Sequence, residues 1–498
     1  MSIKKNITAN FFASIWTALM SLAFIPYYIK LMGMESYGLV GFMASIQAIA
    51  ILLDLGLAQS LNRELAKLSI NPDSGNSIAN TFRTLEIIYW GIALLVLCVI
   101  FLFANIIANN WLNSEHLSET ELISAIWIIG AVIAARLPIA LYTGGFNGLQ
   151  QQVKLNIIIV VSATLQGAGA IAVLMFVEPT IHAFLIWQLI ISVIQLIVMR
   201  YALLKSIPKN DGGKFTTVVL TSIWRFTAGL TGITLTSILL MQTDKILLSK
   251  MLSLTDFAYY AFATTIAAII GRLTSPIFSA YFPKITALIA AKNENDLIIN
   301  YHSGCQLAAI IIFPISLSII FYSRELLLLW THNPVLVSQT WKLVVLLVIG
   351  STLNGLMTLP YLLQLAHGWT KLTFYTNLVL IAFAFPSIIY ATQIWGAIGA
   401  AWVWIGINAF YIIVSLHLIH RRLLIKEKWN WYFNDVGKIF LSAFFVLGLS
   451  TQIINPEWSS IQKLFFISFF GILAIIVSTY SATFIRPYFK KFYLWKTN

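Results

Sequence analysis

The chain has 498 residues, of which 59% are hydrophobic and only 10% charged, against about 25% charged in a soluble domain. So few ionic groups could not cover a water-soluble protein of this size, which excludes a soluble enzyme, a disordered chain and a disulfide scaffold. The net charge of +13 does not point to nucleic acid, because the Lys and Arg residues stand in short loops between apolar runs, where they act as topology signals.

A spanning helix needs roughly 20 mostly apolar residues. On that basis the sequence predicts an all-α polytopic membrane protein with about fourteen transmembrane helices. They lie near 10–31, 37–59, 84–108, 120–147, 154–177, 180–203, 218–248, 257–281, 298–322, 337–365, 371–392, 396–419, 436–455 and 461–484. The longest polar stretches between them run from Arg63 to Arg83, Leu204 to Phe215 and His420 to Asp435. With the N-terminus placed in the cytoplasm, the great majority of the 31 Lys and Arg residues fall on the cytoplasmic side. An even number of spans with both termini cytoplasmic is therefore expected. Trp111, Trp330, Trp429 and Trp431 suit an interfacial belt. His420-Arg421-Arg422 and the Lys490-Lys491 tail read as anchors to anionic membrane lipids. Pro26, Pro314, Pro360 and Pro386 read as helix kinks. Cys98 and Cys305, both inside apolar runs, read as buried free thiols.

An internal match adds organisation. Lys30-Leu31-Met32-Gly33-Met34-Glu35-Ser36-Tyr37 lies over Lys250-Met251-Leu252-Ser253-Leu254-Thr255-Asp256-Phe257 without a gap. Phe42, Ile46, Ala48 and Ile49 then meet identical Phe262, Ile266, Ala268 and Ile269. The register equates the first helix pair with the seventh and eighth, so the copies share one orientation. That implies two parallel six-helix bundles related by an axis along the membrane normal; the alternative is two unrelated amphiphilic hairpins. The expected domains are an N-terminal lobe over 1–205, a C-terminal lobe over 206–425, and an extra helix pair with a basic tail over 426–498.

Charges at membrane depth are the candidates for chemistry. Arg136, in Ile133-Ala134-Ala135-Arg136-Leu137-Pro138, lies mid-helix, where an arginine costs about 2.5–3.5 kcal/mol on insertion scales. It must face a cavity, as a cation for an anionic substrate, or a carboxylate such as Glu86 or Asp54. Pro138 should kink its helix. Arg272, in Ile270-Gly271-Arg272-Leu273, carries the same two readings, with Pro276 following it. Asp244-Lys245 is an adjacent acid–base pair within a span: Lys245 suits a local ion pair or an outward snorkel, and Asp244 is a candidate gate partner. Asp54 is equally a structural group or a coupling site. Glu35 and Tyr37, with Gly33 and Gly38, should shape the outer turn between the first two spans. Single membrane-associated histidines such as His182 and His302 are more often hydrogen-bonded structural groups than titrating ones. The sequence carries no Walker A loop, no HExxH and no Cys/His metal spacing; it predicts no enzyme, no metal and no cofactor.

These residues also carry a resemblance. Asn10, Trp16, Pro26 and Leu31-Met32-Gly33-Met34-Glu35-Ser36-Tyr37-Gly38 open the chain, followed by Leu53-Asp54-Leu55-Gly56-Leu57 and Arg63-Glu64-Leu65-Ala66. Later come Thr243-Asp244-Lys245-Ile246-Leu247-Leu248-Ser249-Lys250, Tyr259-Tyr260, Tyr281-Phe282-Pro283-Lys284 and Trp395-Gly396-Ala397-Ile398-Gly399-Ala400-Ala401. In order and spacing the set resembles the polysaccharide (O-antigen type) flippase family of the MATE-like MOP transporter superfamily. The resemblance implies translocation of undecaprenyl-diphosphate-linked oligosaccharide repeat units across a bacterial inner membrane. It further implies two six-helix lobes around a cationic cavity, alternating access, and work beside a polysaccharide polymerase and a chain-length regulator. Arg272 gains from it, since the family's eighth helix lines the cavity. Many relatives have twelve helices; the extra pair resembles that of lipid II flippases.

Two other functions compete. An ion-coupled multidrug or toxin antiporter on the same fold would favour an acidic cavity, whereas Arg136 and Arg272 are basic. A membrane glycosyltransferase or polysaccharide polymerase would present carboxylates or arginines on a long outer loop. The outer stretches Trp111 to Glu121 and Thr331 to Leu336 are too short for that.

Overall fold

The computed structural model describes residues 3–69, 74–208 and 212–485; the Lys490-Lys491 tail lies outside them. The described residues are helical apart from their connections, and the one strand-like feature among them is an isolated bridge between Asn113 and Ser253. Thirteen helical segments among the described residues are long and apolar enough to cross a membrane, so this is a multi-pass membrane protein. The expected span at 218–248 corresponds to a 35-residue helix, Thr217–Met251, which is not among the thirteen. Large apolar side chains cover the outside, Phe176 being 86% exposed, as lipid-facing helices require.

Two compact units divide the chain, Met1–Ala258 and Tyr259–Asn498. The first holds α1 (Ile3–Ala23), α2 (Ile25–Met32), α3 (Met34–Ala50), α4 (Leu57–Leu68) and α5 (Gly75–Asn110). It continues with α6 (Glu119–Gly148), α7 (Gln152–Phe176), α8 (Ile181–Leu204), α9 (Thr217–Met251) and the first turn of α10 (Leu254–Ala290). Its centre is α6, which packs on α4, α5 and α8. The helix starts where a Ser118–Glu121 capping box satisfies its first amides. Its C-terminal end is Gly144-Gly145-Phe146-Asn147-Gly148, on which α4 rests. A Cβ on Gly144 would stand 2.3 Å from the Ala58 carbonyl oxygen, and one on Gly148 2.6 Å from that of Asn62. Both neighbours are backbone and cannot swing aside. Gly144→Ala is therefore expected to lower stability by about 1–3 kcal/mol. Thermal unfolding in detergent checks this against Gly91→Ala, at a position with open space around it; equal midpoints would refute the packing argument.

The second unit contains the rest of α10 and α11 (Glu294–Phe321), α12 (Ser323–Thr331), α13 (Pro334–Leu356), α14 (Thr358–Ala366) and α15 (Thr370–Trp395). Then follow α16 (Ala397–Phe410), α17 (Leu416–Leu423), the short α18 (Lys428–Asn430), α19 (Lys438–Ser450) and α20 (Ser460–Ser481). Here α11 is central. It packs on α13, α14, α19 and α20, and 61% of its apolar window is buried against 17% for α20. The C-terminal pair α19 and α20 thus packs on itself and on α11, around Ile312, Phe313, Ile439 and Leu447.

The prolines divide by position. Pro26 and Pro360 stand in the first turns of α2 and α14, where a missing N–H costs nothing; each lies just after a break within one span, Ala9–Met32 and Pro334–Ala366. Pro138, Pro314 and Pro386 lie inside unbroken helices. Gly33 (φ +84°) and Gly396 (φ +57°) supply left-handed backbone between α2 and α3 and between α15 and α16. Gly399 serves close packing instead, since its Cβ would meet the Ala391 carbonyl at 2.1 Å. Both thiols are free, and Cys305 is buried as expected. Cys98 is exposed: it opens on a shallow apolar groove with Phe101, Leu102 and Trp127. An apolar run on a lipid-facing helix need not be interior.

Candidate functional site

Arg136 sits in the middle of α6, between buried Ala135 and buried Leu137, and turns toward α3 and α8. Its Nε donates to the Ser192 hydroxyl at 3.0 Å. Nη1 donates to Oε1 of Gln47 at 2.9 Å and Nη2 to Oε1 of Gln188 at 2.8 Å. Gln188 and Ser192, four residues apart on α8, present one face to the guanidinium. The Gln188 amide nitrogen donates in turn to the Gln166 carbonyl on α7 at 3.1 Å. Every acceptor is neutral, and among the described residues Arg136 has no carboxylate partner.

Neither carboxylate considered as that partner is available. Glu86, fully buried on α5, accepts from Arg83 Nη1 at 2.7 Å, Arg200 Nε at 2.7 Å and the Tyr142 hydroxyl at 3.0 Å. Asp54 caps α4 by accepting from the Ala58 amide at 3.0 Å, and the Tyr89 hydroxyl donates to it. Arg272 is exposed on α10 in the second unit. Lys245 bonds its neighbour Asp244 at 3.4 Å and the Met241 carbonyl at 3.1 Å, a local arrangement on α9.

On the expected outer side, Glu35 anchors the α5–α6 loop. It accepts from the Ser114 hydroxyl and the Glu115 amide, each at 2.7 Å, and from the His116 amide. The same loop holds the turn before α10: Trp111 Nε1 donates to Ser249 Oγ at 3.0 Å, Asn113 Nδ2 to the Lys250 carbonyl at 2.8 Å, and the Leu254 amide to the Asn113 carbonyl at 2.8 Å. Gly38 lets that turn approach, its Cβ position lying 2.5 Å from the Leu254 oxygen. One loop therefore grips both turns of the internal sequence match, a role for Glu35 and Gly38 more definite than a tight connection.

Two clusters were not legible beforehand. Arg200 reads in sequence as a topology charge, yet it closes on Glu86. In the second unit, His302 is fully buried, with Nδ1 against Asp435 and Nε2 3.0 Å from Glu427. Gln306 reaches Asp435 at 3.0 Å and Thr483 at 3.1 Å, and accepts from the Phe484 amide. The available signal was the spacing of His302 and Gln306, one helical turn apart, together with two acids, Glu427 and Asp435, in a largely basic stretch.

The polysaccharide biosynthesis protein family matches over residues 3–289, more than half of the chain. A Shigella flexneri protein described as a proposed O-antigen transporter is 20% identical over 423 residues, covering 85% of this chain and 99% of that protein. Among solved structures, the lipid II flippase MurJ in an inward closed conformation superimposes with a TM-score of 0.72 at 16% identity, covering 96% of this chain and 98% of that one. An inward-facing multidrug resistance MATE family transporter of the MOP superfamily does so with a TM-score of 0.62 at 16% identity, covering 85% and 95%. The fold is that of MurJ and the MATE transporters.

Proposed function

We propose that this chain, which belongs to the polysaccharide biosynthesis protein family, is a flippase for undecaprenyl-diphosphate-linked oligosaccharide repeat units of O-antigen or a related surface polysaccharide. It works by alternating access in a bacterial inner membrane, with both termini cytoplasmic. Family, relative and fold all point to transport rather than catalysis. Moving a sugar head through hydrocarbon unaided is prohibitive, so the protein must offer a polar route and a cation for the diphosphate while the lipid tail stays outside.

The observation that carries the reading over an antiporter on the same fold is Arg136. A guanidinium at membrane depth, held only by neutral oxygens, keeps its charge for an anion, whereas a site for cationic drugs needs the opposite sign. Arg272 is the matching candidate in the second unit. Asp54, Asp244 and Lys245 serve in gating or coupling, the first through the α3–α4 turn and the pair through α9.

Deleting the gene should cause undecaprenyl-linked repeat units to accumulate on the inner leaflet, detectable by extraction and mass analysis of lipid-linked intermediates. Arg136→Ala and Arg272→Ala should each lower surface polysaccharide about tenfold or more, as loss of a buried charge contact does, with membrane levels of the protein unchanged. Normal polysaccharide in both variants would exclude the cation role. Unchanged intermediates in the deletion strain would exclude the flippase.

A further inference from the structure

A buried arginine in a membrane protein is most cheaply settled by a carboxylate, and this chain avoids that solution. Gln47 on α3 and Gln188 and Ser192 on α8 supply three oxygens to three guanidinium nitrogens. Gln188 is 6% exposed and Ser192 fully buried, so the α8 half of this cage is packed in place. The amide orientation is fixed as well. Because the Gln188 nitrogen is spent on the Gln166 carbonyl at 3.1 Å, its oxygen must be the end that meets Arg136. An arginine has five N–H donors. Three are taken here, which holds the plane of the group and leaves two for a further acceptor.

We infer that Gln47, Gln188 and Ser192 are positioning residues that orient Arg136 without neutralising it, so that its full charge is kept for a diphosphate. This rests on the flippase reading for its ligand, and the chemistry is consistent with it. A preorganised cation in a low-dielectric site attracts an anion far more strongly than one in water. A glutamate at position 47 would fill the same space as glutamine but supply the counter-charge permanently. Among the described residues the Gln47 amide nitrogen holds no hydrogen bond that the change would break, which makes position 47 the cleaner test than position 188.

The experiment uses the purified full-length chain in detergent and measures thermal stabilisation by inorganic pyrophosphate, farnesyl diphosphate and farnesol. The wild-type chain should be stabilised by a diphosphate and not by farnesol, and added salt should weaken the effect. Stabilisation by farnesyl diphosphate alone identifies a lipid-borne diphosphate as the ligand; equal stabilisation by pyrophosphate identifies the diphosphate group itself. Gln47→Glu should unfold at the same temperature as wild type or higher, yet bind the diphosphate at least about tenfold more weakly. Gln47→Leu, which removes a support without adding charge, should weaken binding less than Gln47→Glu while lowering the unfolding midpoint. That inversion between stability and binding is one that a merely structural glutamine would not produce. Equal binding by Gln47→Glu and wild type, or no diphosphate binding by wild type, overturns the inference. If Gln47→Glu loses binding but its host still displays normal surface polysaccharide, the cage stands and the flippase reading falls.

Discussion

Asp435→Ala should release the C-terminal helix pair from α11 and cost about 3–5 kcal/mol, the usual penalty for stranding one member of a buried charged pair. His302 and Asp435 are both completely buried. With both carboxylates ionised, an imidazole that meets one of their oxygens at each ring nitrogen satisfies both by donating from both nitrogens. The group is then a cation whose partners are Asp435 and Glu427. Removing Asp435 also takes one of its hydrogen bonds from Gln306, which spans from that carboxylate to Thr483 just beyond α20. The cluster joins α11 to the entry of α19 and to the exit of α20, so its loss should be felt by the pair as a whole. A double variant, His302→Gln with Asp435→Asn, leaves only the partly exposed Glu427 without its cation and should recover part of the loss. Thermal unfolding of the purified variants measures this. If Asp435→Ala unfolds at the temperature of an exposed control such as Lys371→Ala, the cluster does not hold the pair.

The spans were legible because hydrocarbon imposes one rule on every residue of a crossing: the side chain is apolar and the backbone closes its own hydrogen bonds. That rule acts locally, so runs of sequence reveal it. The depth of Arg136 follows from the same rule, read off its neighbours Ala134, Ala135 and Leu137. Its partners do not. Gln47, Gln188 and Ser192 come from two other helices, and a neutral side chain inside an apolar run carries no mark that it faces a cation. Matching opposite charges by depth instead suggested Glu86, and the structure shows why that rule misleads. Glu86 has Arg83 one turn back on its own helix, and Arg200 reaches it from α8. Both cations are partly exposed, and Arg200, near the end of an apolar run, resembles a topology signal. His302 and Asp435 meet only because α11 and α19 pack, a tertiary fact that spacing along the chain does not encode.

Glu86→Ala should cost about 3 kcal/mol, at the lower end of the range for breaking a buried pair. The discount is physical. The carboxylate is fully buried, but Arg83 and Arg200 are 44% and 42% exposed and can turn to water once it is gone, so the main stranded group is the Tyr142 hydroxyl. The functional consequence should exceed that figure. Glu86 ties Tyr142 of α6 to Arg200 of α8. The Arg136 cage ties the same two helices about 9–18 Å further along, at 1.5 Å per residue. With the lower tie cut, α6 and α8 are free to slide, and the Gln188 and Ser192 oxygens lose register with the guanidinium. Glu86→Gln keeps an acceptor for Arg200 or Tyr142 and should retain more of both properties. The diphosphate titration used for Gln47 reads the coupling directly: Glu86→Ala should weaken binding although it touches no part of the Arg136 cage. Binding unchanged at a lowered unfolding midpoint would mean that α6 and α8 hold their register through apolar packing alone.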